Sequence, residues 1–312
     1  MKYCFGVDLG GTTVKMGLFQ EDGQALDKWE IKTRTENGGE AILPDIAEAV
    51  MAKIKERDLE KEDIIGIGMG VPAPVTSDGV VKNTANLGWG YKEVKRELEE
   101  LTGLKVEAGN DANVAALGEM WLGGGKGCKN MVMVTLGTGV GGGIIIDGKT
   151  LVGANGAGGE IGHLKVNYEE EECCGCGKKG CLEMYASATG IARLARRRLA
   201  KDNAPTSLRT AEELSAKTVF DAVKEGDAVA IEIAEEFGKC LGYALANIAV
   251  ACDPEVFVIG GGVSKAGPVL FDYIVGPFHE KEFFANENTR FELAQLGNDA
   301  GICGAAKLVL GC

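Results

Sequence analysis

The sequence predicts an α/β protein of two domains built on a duplicated core. Three observations carry that expectation. Apolar strand patterns alternate with helical ones along the chain, one hairpin layout occurs twice, and 312 residues suffice for two domains of ordinary size. The two copies of the layout run from Phe5 to Gly23 and from Met133 to Gly148. Each is an apolar strand, a Gly/Thr turn, a second strand and an Asp-Gly turn, and Asp-Gly between apolar runs is a strong hairpin signal.

Taken in order, the first strand is Tyr3 to Leu9, and a helical apolar spacing covers Gly39 to Arg57. The strand Ile64 to Val71 follows, then a Pro/Gly loop through Asn86, a charged helix from Tyr91 to Leu101 and a short strand at Leu104 to Ala108. Asn110 and Asp111 stand where that strand gives way to a helix over Asn113 to Leu122. After the second hairpin come helices at Ser187 to Ala200, Thr218 to Lys224 and Asp227 to Ala251. The strand Val256 to Ile259 then runs into Gly260, Gly261 and Gly262, and an apolar helix, Ala300 to Leu310, is expected to return to the first domain. The expected division is a small N-terminal domain of residues 1–116 with 299–312, and a large C-terminal domain of residues 117–298.

A formal net charge of −13, with no basic cluster larger than Arg196 to Arg198, makes nucleic acid and anionic membranes poor partners. That arginine run continues the apolar pattern Ile191, Leu194, Ala195, Leu199 and reads as a solvated helix face. No apolar run approaches the roughly 18 residues needed to span a bilayer. The N-terminus opens directly on a strand, without the charged, apolar and small-residue succession of a signal peptide. Ten cysteines without an export signal point to reduced thiols and metal, and to the cytoplasm.

Between Glu160 and Glu183 one of the chain's two histidines and four of its ten cysteines are packed together. His163, Cys174, Cys176 and Cys181 form a Cys₃His pattern suited to a closed, tetrahedral, structural zinc site. Gly175, Gly177 and Gly180 allow the tight turns such a loop needs. The competing reading is a cluster of buried or redox-active thiols, and Cys173 stands beside Cys174 as an alternative ligand.

The Gly/Thr turns of the two hairpins expose backbone N–H groups and hydroxyls, as an anion nest for phosphate does. Glycine in a hairpin turn is more often simple geometry, so the pairing of two such turns is what favours phosphate. Neither a Walker-type loop nor a G-x-G-x-x-G helix opening is present. Asp111 lies at the carboxyl end of a strand, where ligands gather in open α/β sheets. Asn110 and Asp111 read equally well as a helix N-cap.

Taken together, DLGGTTVKMG, NTANLGW, NDANVAALGE, LGTGVGGGII, GGEIGH, CGCGKKGCLE and DPEVFVIGGG resemble the ROK family of bacterial sugar kinases and repressors. The resemblance spans essentially the whole chain and is strongest to the family's glucokinases. It implies the actin-like/hexokinase (ribonuclease H-like) fold, with a cleft between the domains that closes over the sugar. It also implies ATP-dependent phosphorylation of glucose to glucose 6-phosphate, a step of glycolysis. Asp111 would be the general base. Asn86, Asn110, Asp111, Glu160, His163 and Glu183 would bind the sugar, His163 using its second ring nitrogen. Gly10, Gly11, Thr12 and Thr13 would form the first phosphate loop, and Gly137, Thr138 and Gly139 the second. Gly260 and Gly261 would pass the adenosine, and Asp8 would hold Mg²⁺ through water. Lys15 reads either as a phosphate contact or as a solvated face. Ala73, in V-P-A-P-V, replaces the glycine usual in this family's loop, which leaves the sugar-side loop geometry open.

The alternatives are a kinase for mannose, fructose or an N-acetylhexosamine, and a sugar-sensing regulator without a DNA-binding domain. Only seven residues precede Asp8, too few for a helix-turn-helix. An actin-like filament or chaperone ATPase would lack Asp111 in its Asn-Asp context and the cysteine knuckle. ADP or polyphosphate could replace ATP as donor, and the family resemblance implies a homodimer or homotetramer.

Overall fold

The computed structural model describes every residue except Ala85 and Cys312. The chain divides into two compact units: residues 1–129, 143–159 and 295–312 form the first, and residues 130–142 and 160–294 the second. The expected boundary at residue 116 falls inside a helix, Asp111–Leu122.

In the first unit, β1 (Tyr3–Leu9), β2 (Thr13–Gln20) and β3 (Ala25–Lys32) form an antiparallel meander. A short turn, α1 (Glu36–Gly39), precedes α2 (Ile42–Glu56), followed by β4 (Ile64–Val71). A two-stranded ribbon of β5 (Val80–Val81) and β6 (Lys92–Glu93) leads to α3 (Val94–Thr102), β7 (Val106–Asn110) and α4 (Asp111–Leu122). The five-stranded sheet has the order β3-β2-β1-β4-β7, with β1, β4 and β7 parallel.

Strand alternation decides what each face of β1 buries. Phe5, Val7 and Leu9 join Ile42, Ile46 and Val50 of α2 in the main core. Cys4 packs on the other face with Ile302, Cys303 and Ala306 of the last helix, α10 (Ala300–Leu310). Glycine makes that second layer thin: a Cβ on Gly6 would meet the Ile302 carbonyl oxygen at 2.0 Å, and one on Gly68 of β4 would meet that of Ala305 at 1.7 Å.

The other sheet has the order β10-β9-β8-β11-β12, from β8 (Met131–Leu136), β9 (Val140–Ile146), β10 (Lys149–Thr150), β11 (Val256–Gly260) and β12 (Arg290–Leu293). The turn from β9 to β10 is Asp147-Gly148 with φ of 51° and 77°, as the Asp-Gly signal requires. In the second unit α5 (Glu183–Ala186), α6 (Ala188–Leu199), α7 (Ala216–Lys224), α8 (Ala228–Cys252) and α9 (Val269–Lys281) accompany β8, β11 and β12. Helices α8 and α9 meet at glycines, since a Cβ on Gly238 would lie 2.1 Å from the Tyr273 carbonyl oxygen. Among the described residues no helix is long and apolar enough to cross a membrane.

Candidate active site

Three parallel strands of the first unit, β1, β4 and β7, end side by side, with Asp8 and Asp111 at the ends of the outer two. Asp8 of β1 is in register with Gly70 of β4, and Val71 with Asn110 of β7. Gly70 stands between the two strands in the sheet, and a Cβ on it would lie 3.4 Å from the Val114 side chain and 3.7 Å from the Cα of Asp111. Burial, and then the negative charge of Asp111, push the half-buried Asp8 carboxyl above its ordinary range. Lys15 pulls it the other way, and it stands directly across from Asp8 in the antiparallel register. A buried carboxyl crowded by a second one is a donor set that a cation relieves.

Asn110 takes extended backbone and caps α4, its Oδ1 accepting from the N–H groups of Ala112 (3.1 Å) and Asn113 (3.2 Å). Its Nδ2 donates to the carbonyl of Ala73 at 3.2 Å, so the residue that departs from the family glycine anchors Asn110 through its backbone. The second amide hydrogen of Asn110 meets no acceptor among the described residues. Asp111 is the first residue of α4, and its carboxylate accepts from the N–H of Ala112 at 2.8 Å. The helix thus begins two residues earlier than its apolar pattern indicates, because the cap rather than the pattern sets the start.

The first Gly/Thr turn is closed by a Gly10 N–H to Thr13 carbonyl bond of 3.0 Å. Thr33 braces it, its hydroxyl donating to the Gly10 carbonyl at 2.7 Å and its N–H to the Thr12 carbonyl at 2.9 Å. Gly11 and Thr12 are exposed. Asn86 is also exposed and close to this turn: a Cβ on Gly11 would lie 3.6 Å from that of Asn86.

In the second unit the Gly137–Gly139 turn is closed in the same way, Gly137 N–H donating to the Gly139 carbonyl at 2.9 Å. It is held from below by α6, where the Ala188 N–H donates to Gly137 and the Thr189 hydroxyl to the carbonyl of Thr138. Gly261, at φ 84°, abuts the Leu136 backbone, 2.6 Å from where its Cβ would stand, which brings the third glycine turn against the second. Glu183 reaches the same loop: its Oε2 accepts from the Val140 N–H at 3.0 Å, and a Cβ on Gly139 would collide with it.

The ligand atoms of His163, Cys174, Cys176 and Cys181 all lie within 4.8 Å of one another. The Nδ1 of His163 faces the Cys174 sulfur at 4.0 Å, and the Cys176 and Cys181 sulfurs are 3.6 Å apart. Cys174 is buried in this set, whereas Cys173 is exposed and outside it. Gly180, at φ 70°, is needed because a Cβ would strike the Asn167 carbonyl at 1.8 Å. Burial pushes the Cys174 thiol up to about 12, a cost that a bound cation would remove, while the Lys178 N–H lowers that of Cys176. Lys165, 3.2 Å from the Cys181 sulfur, adds a positive charge that favours thiolates. The set fits one tetrahedral ion. Glu160 is tied to it through the His163 N–H, which donates to the Glu160 carbonyl at 3.2 Å, and Glu183 through the Cys174 thiol, which donates to Oε1 at 3.5 Å.

Sequence reasoning did not identify Thr33, Thr189 or Gly301 as neighbours of these groups. Threonine in a loop or at a helix start carries no distinctive spacing. Behind the knuckle, buried Glu170 accepts from the Tyr185 hydroxyl (2.5 Å) and from Arg193 (2.7 Å), fixing the turn that carries Glu183.

The chain is 45% identical to a glucokinase of Halalkalibacterium halodurans, over 99% of this chain and 95% of the relative. The crystal structure of a ROK hexokinase from Thermus thermophilus superposes with a TM-score of 0.81 at 32% identity, covering 98% of this chain and 97% of that one. A ROK family glucokinase from Streptomyces griseus, solved in complex with glucose and AMPPNP, superposes with a TM-score of 0.72 at 34% identity, covering 97% and 98%. The ROK family pattern itself matches residues 4–311, and the chain belongs to the ROK family.

Proposed function

We propose that this protein transfers the γ-phosphoryl group of ATP to glucose, giving glucose 6-phosphate. The observation that carries this reading is the pair of Asp8 and Asp111 at the carboxyl ends of β1 and β7, the parallel strands on either side of β4, with the charge of Asp111 raising the Asp8 carboxyl. One carboxylate can hold a cation and the other can take a hydroxyl proton, the two tasks that phosphoryl transfer asks of protein carboxylates. The relatives named glucokinase supply the choice of sugar.

In this reading Asp111 orients the sugar hydroxyl and accepts its proton as the oxygen attacks phosphorus. Capping by Asn110 fixes the direction of Asp111, and the spare amide hydrogen of Asn110 meets a sugar oxygen. Glu160, His163 and Glu183 bind vicinal hydroxyls, with Asn86 as a further contact. Glu183 keeps Oε2 on the Val140 N–H, and Oε1, which accepts from Cys174 only while that sulfur carries a proton, is offered to glucose once Cys174 is a metal-bound thiolate. The turns Gly10–Thr13 and Gly137–Gly139 hold phosphate oxygens through backbone N–H groups and hydroxyls. Beside Gly260 and Gly261, a cavity of about 190 Å³ lined by Ala216, Phe220 and Val263 fits the adenine ring.

Mg²⁺, near Asp8, supplies neutralisation of phosphate charge when bound. Structural Zn²⁺ would be held by His163 Nδ1 and the thiolates of Cys174, Cys176 and Cys181, leaving Nε2 of His163 for a sugar hydroxyl. We further expect a cytoplasmic homodimer or homotetramer, which light scattering on the purified protein checks.

A coupled assay of glucose, mannose, fructose, glucosamine, N-acetylglucosamine and N-acetylmannosamine against ATP, ADP and polyphosphate tests the assignment. Glucose with ATP should give the highest kcat/KM. A tenfold preference for fructose or N-acetylmannosamine would overturn the sugar, and a preference for polyphosphate the donor.

A further inference from the structure

Asp8 lies on the face of β1 that carries Cys4 and Gly6, the face covered by α10. At Gly6 the neighbour is the backbone of Ile302; two residues further along the strand, the neighbour is Gly301, in the first turn of α10. A Cβ on Gly301 would stand 2.4 Å from Cγ of Asp8, 2.5 Å from Oδ2 and 2.9 Å from Oδ1. Carbon atoms do not approach that closely, so a side chain at 301 and the present position of the Asp8 carboxylate exclude each other.

Gly301 has no positive φ, so its backbone would accept any residue. In a helix it is also less favourable than alanine. Backbone conformation therefore does not explain this glycine, and the space it leaves does. Helix α10 cannot slide away to make room. A Cβ on Gly304 would meet the Val114 carbonyl oxygen of α4 at 1.6 Å, and one on Gly118 that of Ala300 at 2.3 Å, so the two helices are already in backbone contact. The approach to α10 is pinned as well, because fully buried Glu119 of α4 accepts from the N–H groups of Gln295 (3.0 and 3.1 Å) and Leu296 (2.8 Å). Of the groups in contact at this point, only the Asp8 side chain can give way, by rotating about χ1.

We propose that Gly301 is a positioning residue for phosphoryl transfer, its missing Cβ being the space in which the Asp8 carboxylate is held ready for the nucleotide-bound divalent cation. This rests on the kinase reading and on Asp8 as the residue that faces the cation. It adds that the helix arriving from the far end of the sequence sets where that carboxylate points.

The test compares wild type, Gly301→Ala, Asp8→Asn and the double variant, each as the full chain. Wild-type turnover of glucose and ATP is measured first, and its absence would defeat the kinase reading rather than this one. In Gly301→Ala the Mg²⁺ concentration for half-maximal rate should rise tenfold or more and kcat should fall. Calorimetric titration should show the affinity gained by ADP on adding Mg²⁺ reduced at least fivefold, with glucose affinity within twofold of wild type and thermal stability not lowered. In the Asp8→Asn background the second substitution should change kcat by less than twofold. Unaltered Mg²⁺ dependence, or full additivity with Asp8→Asn, would overturn the proposal. Should Gly301→Ala fail to fold, Asp8→Ala/Gly301→Ala decides: recovered folding places the clash at Asp8, and continued misfolding overturns it.

Discussion

Replacing Glu119 with glutamine should destabilise the first unit markedly while leaving its shape intact. The side chain is 0% exposed, and its two oxygens accept from the N–H groups of Gly124 (2.9 Å), Gln295 and Leu296. An amide keeps only one oxygen. Whichever way it turns, either Gly124 or Leu296 faces an NH₂ group and loses its acceptor. One orphaned buried donor costs about 1–3 kcal/mol, and each surviving bond to a neutral oxygen is weaker than its charged counterpart by about 1 kcal/mol. A neutral amide is cheaper to bury than a carboxylate, which offsets part of this. The net expectation is a loss of about 3 kcal/mol, or a fall in thermal midpoint of about 6 °C at roughly 2 °C per kcal/mol in a chain of this size. Differential scanning calorimetry measures it. Gly123→Ala gives an independent check, since its Cβ would lie 2.0 Å from Oε2 of Glu119. The two substitutions act on one carboxylate and should be less than additive. A Glu119→Gln midpoint within 1 °C of wild type would refute the reasoning.

Asp111→Asn should lower kcat by roughly 10²- to 10⁴-fold with glucose affinity nearly unchanged, and near-normal turnover of the folded variant would remove Asp111 from the mechanism. Purified protein should hold about one zinc per chain by elemental analysis, and Cys176→Ala should lose metal and activity together while still titrating with nucleotide. The carboxyl of Glu170 is held down at about 2: burial works to raise it, and the Tyr185 hydroxyl and Arg193 outweigh burial. A depressed carboxyl contributes stability above the unfolded value near 4.5 and loses it as pH falls toward 2. The stability gap between wild type and Glu170→Gln, on the order of 2–3 kcal/mol at neutral pH, should therefore narrow below pH 4.5 and close as pH falls through about 2 in pH-resolved melts.

Elements whose boundaries are written in short-range chemistry were legible. Ile64–Val71 and Ala300–Leu310 carry unbroken apolar patterns, and the strand and helix form over those residues. Helix α9 was not foreseen because Gly276-Pro277 looks like a break. It continues because Pro277 frees the carbonyl of Tyr273, and that carbonyl is seated against Gly238 of α8. Such compensation lies on another helix and leaves no local signal. Strand β3 hid behind its charges, as sheet-edge strands do, and four-residue β12 is too short for a pattern. At the candidate site, the clustering of His163, Cys174, Cys176 and Cys181 could be read from their spacing, and the place of Asp111 from the junction of strand and helix. The packing of Gly301 on Asp8 could not, since it joins opposite ends of the chain.

That joining also constrains how the molecule is made. On a ribosome, β1 and β4 emerge long before the helix that covers Gly6 and Gly68, which lies more than 200 residues further along the chain. Until then one side of the nascent sheet, with Cys4 and Phe19 on it, has no cover of its own. The second unit, running from Asn130 to Ala294 apart from the excursion at 143–159, can complete its own core before the first closes. The unit encoded between β7 and α10 can therefore mature before the one that encloses it, and a chain stopped short of α10 keeps the cysteine knuckle but leaves a nascent sheet for chaperones to recognise.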